Sequence, residues 1–242
     1  MNDISFTAKC QQIKDAQWVC KTAKSVYPHL STTWIAGKIF KYQENNPELY
    51  DRFINKKSFE HIIAKNNNEQ NLLNLFTWHK YLVQKINILR DTQLKNAQGK
   101  INHIIEQVKH HKLGNCGEDA IIAETILKLN GVKNACTSSL KIDGALVDHS
   151  VCVFNKDGSE FNGKVSKDTI IIDPWFGDAD FASNMFVKYK NLANDYFFRL
   201  HPRAKISLTN IKSHKLSGAD KIVLSLNHEK FLFSSANREL MK

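Results

Sequence analysis

Three side chains of this sequence, Cys116, His149 and Asp173, have the types and the order that nucleophilic acyl chemistry needs. A thiolate attacks a carbonyl carbon, an imidazole transfers the proton, and a carboxylate holds the imidazole in the required tautomer. The three lie in the segments GNCGEDA (114–120), DHSVCVF (148–154) and IIIDPWFG (170–177). The residues next to Cys116, His149 and Asp173 in these segments favour a catalytic role for the three side chains over a purely structural one.

A helix is expected to begin at Cys116. Asn115 is a favourable N-cap, Glu118 stands where it can complete a capping box, and Gly131 suits the left-handed turn that ends a helix. The positive end of the helix favours the thiolate over the thiol, and the flanking glycines let a substrate backbone approach the sulfur. A lone cysteine can also be a small core residue, but a core position gives no reason for those glycines.

His149 and Asp173 fall on two successive apolar runs with strand character. His149 shares the alternation of the valines around it, so a polar ring on an apolar face needs a partner. Asp173 ends the next run, before Pro174, and in an antiparallel hairpin it can lie across from His149, with Trp175 near enough to shield their hydrogen bond. The competing interpretations are a satisfied core histidine and a turn-initiating aspartate.

The elements around these segments change character along the chain. Residues 7–111 have helical periodicity, clearest from Leu72 to Leu89, with a break at Asn66-Asn67-Asn68. Four runs after Gly131 have strand character: Ala145 to Phe154, Thr169 to Ile172, Ile206 to Leu208 and Lys221 to Leu226. We predict a helical region over residues 1–98, for substrate recognition or packing, and a catalytic domain over residues 99–242.

Together the three segments resemble those of the papain-like and transglutaminase-like superfamily, whose members place a cysteine at a helix start and then a histidine and an aspartate or asparagine on successive antiparallel strands. The similarity, over about residues 113–177, is greatest to bacterial effector and toxin domains. These virulence proteins act on host proteins as cysteine proteases, glutamine deamidases or transglutaminases. The resemblance implies catalytic Cys116, His149 and Asp173 in an α+β fold, where the nucleophile helix of a papain-like core packs on an antiparallel sheet.

Two departures from the family pattern bear on the mechanism. Papain-like proteases carry a glutamine six residues before the cysteine as an oxyanion donor, and this chain has His110 there. Gln107, Asn115 or another backbone amide would have to serve. Arylamine N-acetyltransferases also use a Cys-His-Asp triad, but this chain lacks their arginine-bearing lead into the cysteine and resembles them less.

The resemblance leads us to expect a cysteine-dependent hydrolase or acyltransferase. A glutamine deamidase or transglutaminase comes first and a cysteine protease second, because one thioester intermediate serves all three reactions. The alternative of a different class is a non-catalytic protein-binding module on a degenerate papain-like fold. It predicts an unreactive Cys116 or a His149 too distant to act.

The composition limits the partners. The 242 residues, 42% hydrophobic and 24% charged, suit a globular protein with a sizeable core. The formal net charge of +10 is spread along the chain, which fits a protein substrate with an acidic surface, such as a host protein, and equally an anionic membrane surface. Dense basic runs and the aromatic-basic interleaving of nucleic-acid binding are absent, so no nucleic-acid partner is expected.

The cysteines and the apolar runs bear on location. Five cysteines without zinc spacing suit a reducing compartment, and no stretch is long and apolar enough for a transmembrane helix. We expect a cytoplasmic protein, or one that reaches a host cytosol without a Sec signal peptide, and Lys212 to Lys242 is a candidate transport signal. His103, His110 and His111 lack zinc-site geometry and no phosphate-binding glycine loop occurs, so neither a metal nor a cofactor is expected.

Overall fold

The computed structural model of the chain describes residues 3–26, 64–96, 113–143, 149–196 and 203–215, with the single positions 39, 48, 104, 108, 110 and 111. These residues form four helices and a five-stranded antiparallel sheet, which confirms the predicted α+β class. The helices are α1 (Asp3–Val26), α2 (Asn67–Asn96), α3 (Cys116–Leu129) and α4 (Ala182–Tyr196). The strands are β1 (Cys136–Ile142), β2 (His149–Asn155), β3 (Thr169–Asp173), β4 (Asp178–Phe181) and β5 (Ile206–Lys212).

The sheet has the strand order β4-β3-β2-β1-β5, and every neighbouring pair is antiparallel. The predicted hairpin of β2 and β3 is confirmed, with Phe154 paired to Ile170 and Cys152 to Ile172. Its long connection crosses the surface, turns at two glycines with positive φ, and is anchored by the buried ring of Phe161. The hairpin register sets which residues of the two central strands share a face.

Strands β1 and β4 and helix α4 were not expected from the sequence. β1 contains two buried polar residues that hide its strand character, and its neighbour β5 satisfies both. Thr137 Oγ1 donates to the carbonyl of Lys212 at 3.2 Å, and Ser138 Oγ donates to that of Thr209 at 2.9 Å, beside an irregularity in the β1–β5 register. β5 is also longer than predicted, and the expected strand from Lys221 lies outside the described residues.

Helices cover both faces of the sheet. One face of the central strands, including Phe154 and Ile172, packs against α1 and α3. The other face, including Val151 and Ile171, packs against Met185 and Tyr189 of α4. The alternation of a two-faced buried strand therefore divides the apolar residues into two core clusters.

Helix α1 packs under the sheet rather than apart from it. Its residues Val19, Cys20 and Ala23 are almost completely buried in the same core cluster as α3 and β3. The predicted boundary between residues 98 and 99 lies outside the described residues and stays a prediction. Among the described helices, none combines the length and apolar character that crossing a bilayer requires.

Helix α2 begins at the asparagine tract that was expected to interrupt the helical region. Asn66 Oδ1 accepts a hydrogen bond from the Glu69 amide at 2.9 Å, and Glu69 Oε2 accepts one from the Lys65 amide at 2.8 Å. This reciprocal pair satisfies two backbone donors at the helix start. Within the predicted apolar run, Leu72 and Leu82 are buried.

A buried ionic cluster joins the far end of α3 to the segment after β5. The side chain of Glu124 is fully buried and binds Lys128 Nζ at 2.6 Å and His214 Nδ1 at 2.7 Å. The His214 amide also donates to Glu124 at 2.7 Å, and Lys128 Nζ donates to the His214 carbonyl at 2.7 Å. The cluster therefore fixes the exit of β5 on the helix that carries Cys116.

Removal of the Glu124 carboxylate should destabilise the protein strongly. In Glu124→Ala the nearly buried Lys128 ammonium loses its counter-charge, and we expect a loss of about 3 kcal/mol in the free energy of unfolding. Urea denaturation measures this loss. Lys188→Ala is the control, because it breaks only the more exposed pairs with Asp178 and Asp180 and should cost under about 1 kcal/mol. Equal losses in the two variants would contradict the assigned role of Glu124.

Candidate active site

Cys116 is the first residue of α3, as the sequence predicts. Asn115 is the N-cap with extended backbone, and its amide donates to Glu118 Oε2 at 2.9 Å as part of a capping box. At the other end, Gly131 has a φ of +94° just beyond the C-cap. The sulfur therefore lies in the first turn, where amides without intrahelical partners and the helix dipole favour negative charge.

The capping residue Glu118 has a second partner that the sequence did not reveal. The guanidinium of Arg90 in α2 binds both carboxylate oxygens of Glu118, with each of the two hydrogen bonds 3.1 Å long. A fork of this kind fixes the direction of the carboxylate as well as neutralising it. Helix α2 is thus fastened to the turn that carries Cys116.

The first turn of α3 lies beside the part of β2 that carries His149 and Ser150. A Cβ atom built on Gly117 would be 4.0 Å from Ser150 Oγ, in the residue after His149. Ser150 follows His149 on β2, so the first turn of α3, which carries Cys116, and this part of the strand are neighbours. His149 and Cys116 form a side-chain hydrogen bond.

His149 and Asp173 are also in contact, although they are not directly opposite in the sheet. The last β2–β3 pair is Cys152 with Ile172, so the same register would align Asp173 with Val151 rather than with His149. Alternation nevertheless places His149 and Asp173 on the same face, diagonally across the two strands. Their side chains meet with His149 Nε2 2.6 Å from Asp173 Oδ2.

Each oxygen of Asp173 has its own role, and the carboxylate is completely buried. Oδ1 accepts the amide of Phe176 at 2.9 Å, which closes the turn after β3, and the Gly177 amide donates to the Asp173 carbonyl at 2.8 Å. Gly177 has a φ of +83°, which a residue with a Cβ rarely adopts. Oδ2 accepts from His149 and from the hydroxyl of Tyr189, the latter at 2.7 Å. Asp173 is therefore a turn-forming residue and the partner of a histidine at once.

The environment of His149 strongly favours its charged form. Burial alone would lower the pKa, but the charge and hydrogen bond of Asp173, together with those of Cys116, outweigh it and raise the pKa of His149 from 6.5 to about 10. The imidazolium is thus the form expected at neutral pH. Since Nε2 is held by Asp173, Nδ1 is the ring nitrogen left for the cysteine.

Aromatic rings cover the histidine. The Trp175 ring lies edge-on to the His149 ring with centroids 5.1 Å apart, and the Tyr189 ring lies 6.2 Å from it. His149 itself is only 7% exposed. Trp175 therefore has the position expected of a residue that keeps water from the His149–Asp173 hydrogen bond.

The structure brings Cys116, His149 and Asp173 together as one hydrogen-bonded chain, and it adds two contacts to Asp173 that sequence reasoning missed. Tyr189 reaches Asp173 from α4, and the Cys20 thiol of α1 contacts the Asp173 carbonyl oxygen at 3.5 Å. A signal for α4 was present, because four apolar residues have helical spacing: Ala182, Met185, Phe186 and Tyr189. Nothing in the sequence around Cys20 indicates its partner.

The other described cysteines differ from Cys116 in their surroundings. Burial, with nearby carboxylates, raises the pKa values of Cys20 and Cys136 to about 12 and that of Cys152 well above the ordinary range. They remain thiols at neutral pH. Within the described part of the chain, no cluster of three histidine, cysteine or carboxylate side chains could hold a metal ion.

Comparisons of the chain with models of protein families, with curated proteins and with solved structures found no match. The likeness of the three short segments to papain-like and transglutaminase-like enzymes therefore stays an expectation from the sequence. The functional conclusion therefore depends on the geometry around Cys116, His149 and Asp173.

The raised pKa of His149 predicts how stability depends on pH. A group whose pKa is higher in the folded than in the unfolded chain stabilises the fold fully below pH 6.5, and this contribution is lost as the pH rises through about 10. The difference in unfolding free energy between wild type and His149→Ala, measured by urea denaturation at several pH values, should shrink over that window. A difference that stays constant or grows would contradict the assigned charge.

Proposed function

We propose that this chain is a cysteine-nucleophile enzyme that acts on protein amide groups through a thioester intermediate. The observation that carries the proposal is the hydrogen-bonded chain from Asp173 through His149 to Cys116, with the cysteine at a helix start. An ordinary core cysteine has no use for a buried, charge-stabilised histidine beside it. The antiparallel sheet with α3 packed on it suits the papain-like core that we propose for the fold.

The first half of the proposed reaction uses the thiolate and the imidazolium as a pair. The Cys116 thiolate attacks the carbonyl carbon of the amide and forms a tetrahedral intermediate whose oxygen is negative. The Cys116 amide, in the first turn of α3, can donate to this oxyanion. The His149 imidazolium gives its Nδ1 proton to the leaving nitrogen, the C–N bond breaks, and ammonia or an amine departs.

The second half resolves the thioester. Neutral His149 takes a proton from water or from an acceptor amine, whose oxygen or nitrogen attacks the thioester carbon. The C–S bond breaks, and the Cys116 thiolate and the His149 imidazolium are restored. Asp173 keeps its charge throughout, because its task is to hold Nε2 and stabilise the charged ring.

Glutamine side chains of a protein are the substrate class we place first. The similarity of GNCGEDA, DHSVCVF and IIIDPWFG to effector catalytic segments supports deamidation or transglutamination of a host protein. The net charge of +10 suits a substrate with an acidic surface, met in the cytoplasm or in a host cytosol. Peptide hydrolysis would pass through the same thioester.

The reactivity of Cys116 tests the proposal. Iodoacetamide should label Cys116 quickly even below pH 7, because the imidazolium stabilises the thiolate, and His149→Ala should lose this labelling by about tenfold or more. Peptide mass spectrometry measures the rate at each cysteine. Cys20, Cys136 and Cys152 are internal controls and should label slowly. If Cys116 is labelled slowly, and at the same rate in wild type and in His149→Ala, the result would favour the non-catalytic binding module.

Product analysis then distinguishes the reactions. Wild type and Cys116→Ser are incubated with dimethylcasein, with and without a fluorescent primary amine. Ammonia release with conversion of glutamine to glutamate indicates deamidation, incorporation of the amine indicates transglutamination, and new amino termini indicate proteolysis. Any of these activities should disappear in Cys116→Ser, and an activity that survives would not come from this site.

A further inference from the structure

We propose that Tyr189 is a positioning residue that fixes the Asp173 carboxylate and, through it, the orientation of the His149 ring. The inference rests on the proposed function and extends its Cys-His-Asp chain to a fourth side chain. Tyr189 lies on α4, a helix outside the three segments that suggested the chemistry. Its hydroxyl binds the Asp173 carboxylate, so its effect would be exerted through Asp173.

The hydrogen bonds of Asp173 show why a fourth residue matters. Tyr189 OH donates to Oδ2 at 2.7 Å, and the same oxygen lies 2.6 Å from His149 Nε2. The other oxygen accepts the Phe176 amide at 2.9 Å. The Phe176 bond alone would leave the carboxylate able to turn about its axis. The hydroxyl removes that freedom, since it holds Oδ2 from a direction that the strand and the turn do not supply.

Tyr189 is itself held rigidly enough for this task. It is 3% exposed and belongs to the core cluster between α4 and the sheet. Its ring packs against Phe176, with centroids 5.8 Å apart, and meets the His149 ring edge-on. Burial and the neighbouring Asp173 charge raise the pKa of Tyr189 well above its ordinary value, so its hydroxyl remains a donor.

Loss of the hydroxyl should weaken the hold on His149 without removing the triad. The carboxylate would keep its turn bond to Phe176 but sample orientations in which Oδ2 no longer faces Nε2. The charged ring would then be less favoured, and with it the Cys116 thiolate. A hydrogen bond to a charged group is worth enough to change a rate by roughly tenfold.

The test compares Tyr189→Phe, which deletes only the hydroxyl, with Tyr81→Phe, which deletes one from an exposed position on α2. Iodoacetamide labelling of Cys116 below pH 7 should fall about tenfold in Tyr189→Phe, with the onset of labelling about one pH unit higher. The rates should converge with wild type at high pH, where the thiolate forms without help. Tyr81→Phe should match wild type throughout.

A second variant and a second measurement separate this inference from a folding defect and from the proposed function. Tyr189→Met removes the hydroxyl donor with a side chain of different shape and should shift the onset of labelling similarly.

If the labelling profile of Tyr189→Phe matches that of wild type while His149→Ala loses its labelling, the inference is overturned and the proposed function stands. If Cys116 is labelled at the same rate in wild type and in His149→Ala, the proposed function fails. The NMR titration of the His149 ring then decides the inference: a midpoint lowered in Tyr189→Phe supports it, and an unchanged one overturns it.

Discussion

The carboxylate of Asp173 has no solvent exposure, and its charge must be satisfied entirely by the protein. His149 of β2, Phe176 of the turn after β3, and Tyr189 of α4 each donate to it. The Cys20 thiol of α1 contacts the main-chain carbonyl of the same residue. Elements from both faces of the sheet thus converge on one residue. A core that buried this carboxylate without those donors would be unstable. The packing of the core and the geometry of the site therefore both depend on keeping the Asp173 carboxylate hydrogen-bonded.

The nucleophile end of the site has an electrostatic problem of its own. Glu118 is needed to cap α3, but its negative charge in the same first turn opposes a thiolate at Cys116. Arg90 of α2 offsets that charge with two hydrogen bonds. The positive charge next to the sulfur is then His149, stabilised from its other side by Asp173.

Local signals in the sequence explain which parts of the fold could be predicted. Asn115, Glu118 and Gly131 mark the two ends of α3, and alternating apolar residues indicate the β2–β3 hairpin. Both elements could therefore be predicted from the sequence. β1 was missed because Thr137 and Ser138 look like loop residues, and only the carbonyls of β5 make their burial possible. Hydrogen bonds between residues that are far apart in the sequence leave no sign in the local sequence pattern.

The same distinction applies to the site. Cys116, His149 and Asp173 stand out because their neighbours are unusual, whereas Tyr189 and Arg90 are ordinary residues of amphipathic helices until the tertiary structure gives them partners. Asp173 also shows that two competing interpretations of a residue can both hold, since one oxygen closes a turn and the other faces the histidine.

The most direct test of this account is the protonation state of the His149 ring, observed by nitrogen-15 NMR at a pH between its ordinary pKa of 6.5 and the raised value of about 10. In this range wild type should show protons on both ring nitrogens, and Asp173→Asn should show a neutral ring. A neutral ring in wild type, or the same titration in both proteins, would mean that Asp173 does not hold the histidine as a cation and that the proposed site lacks its central charge.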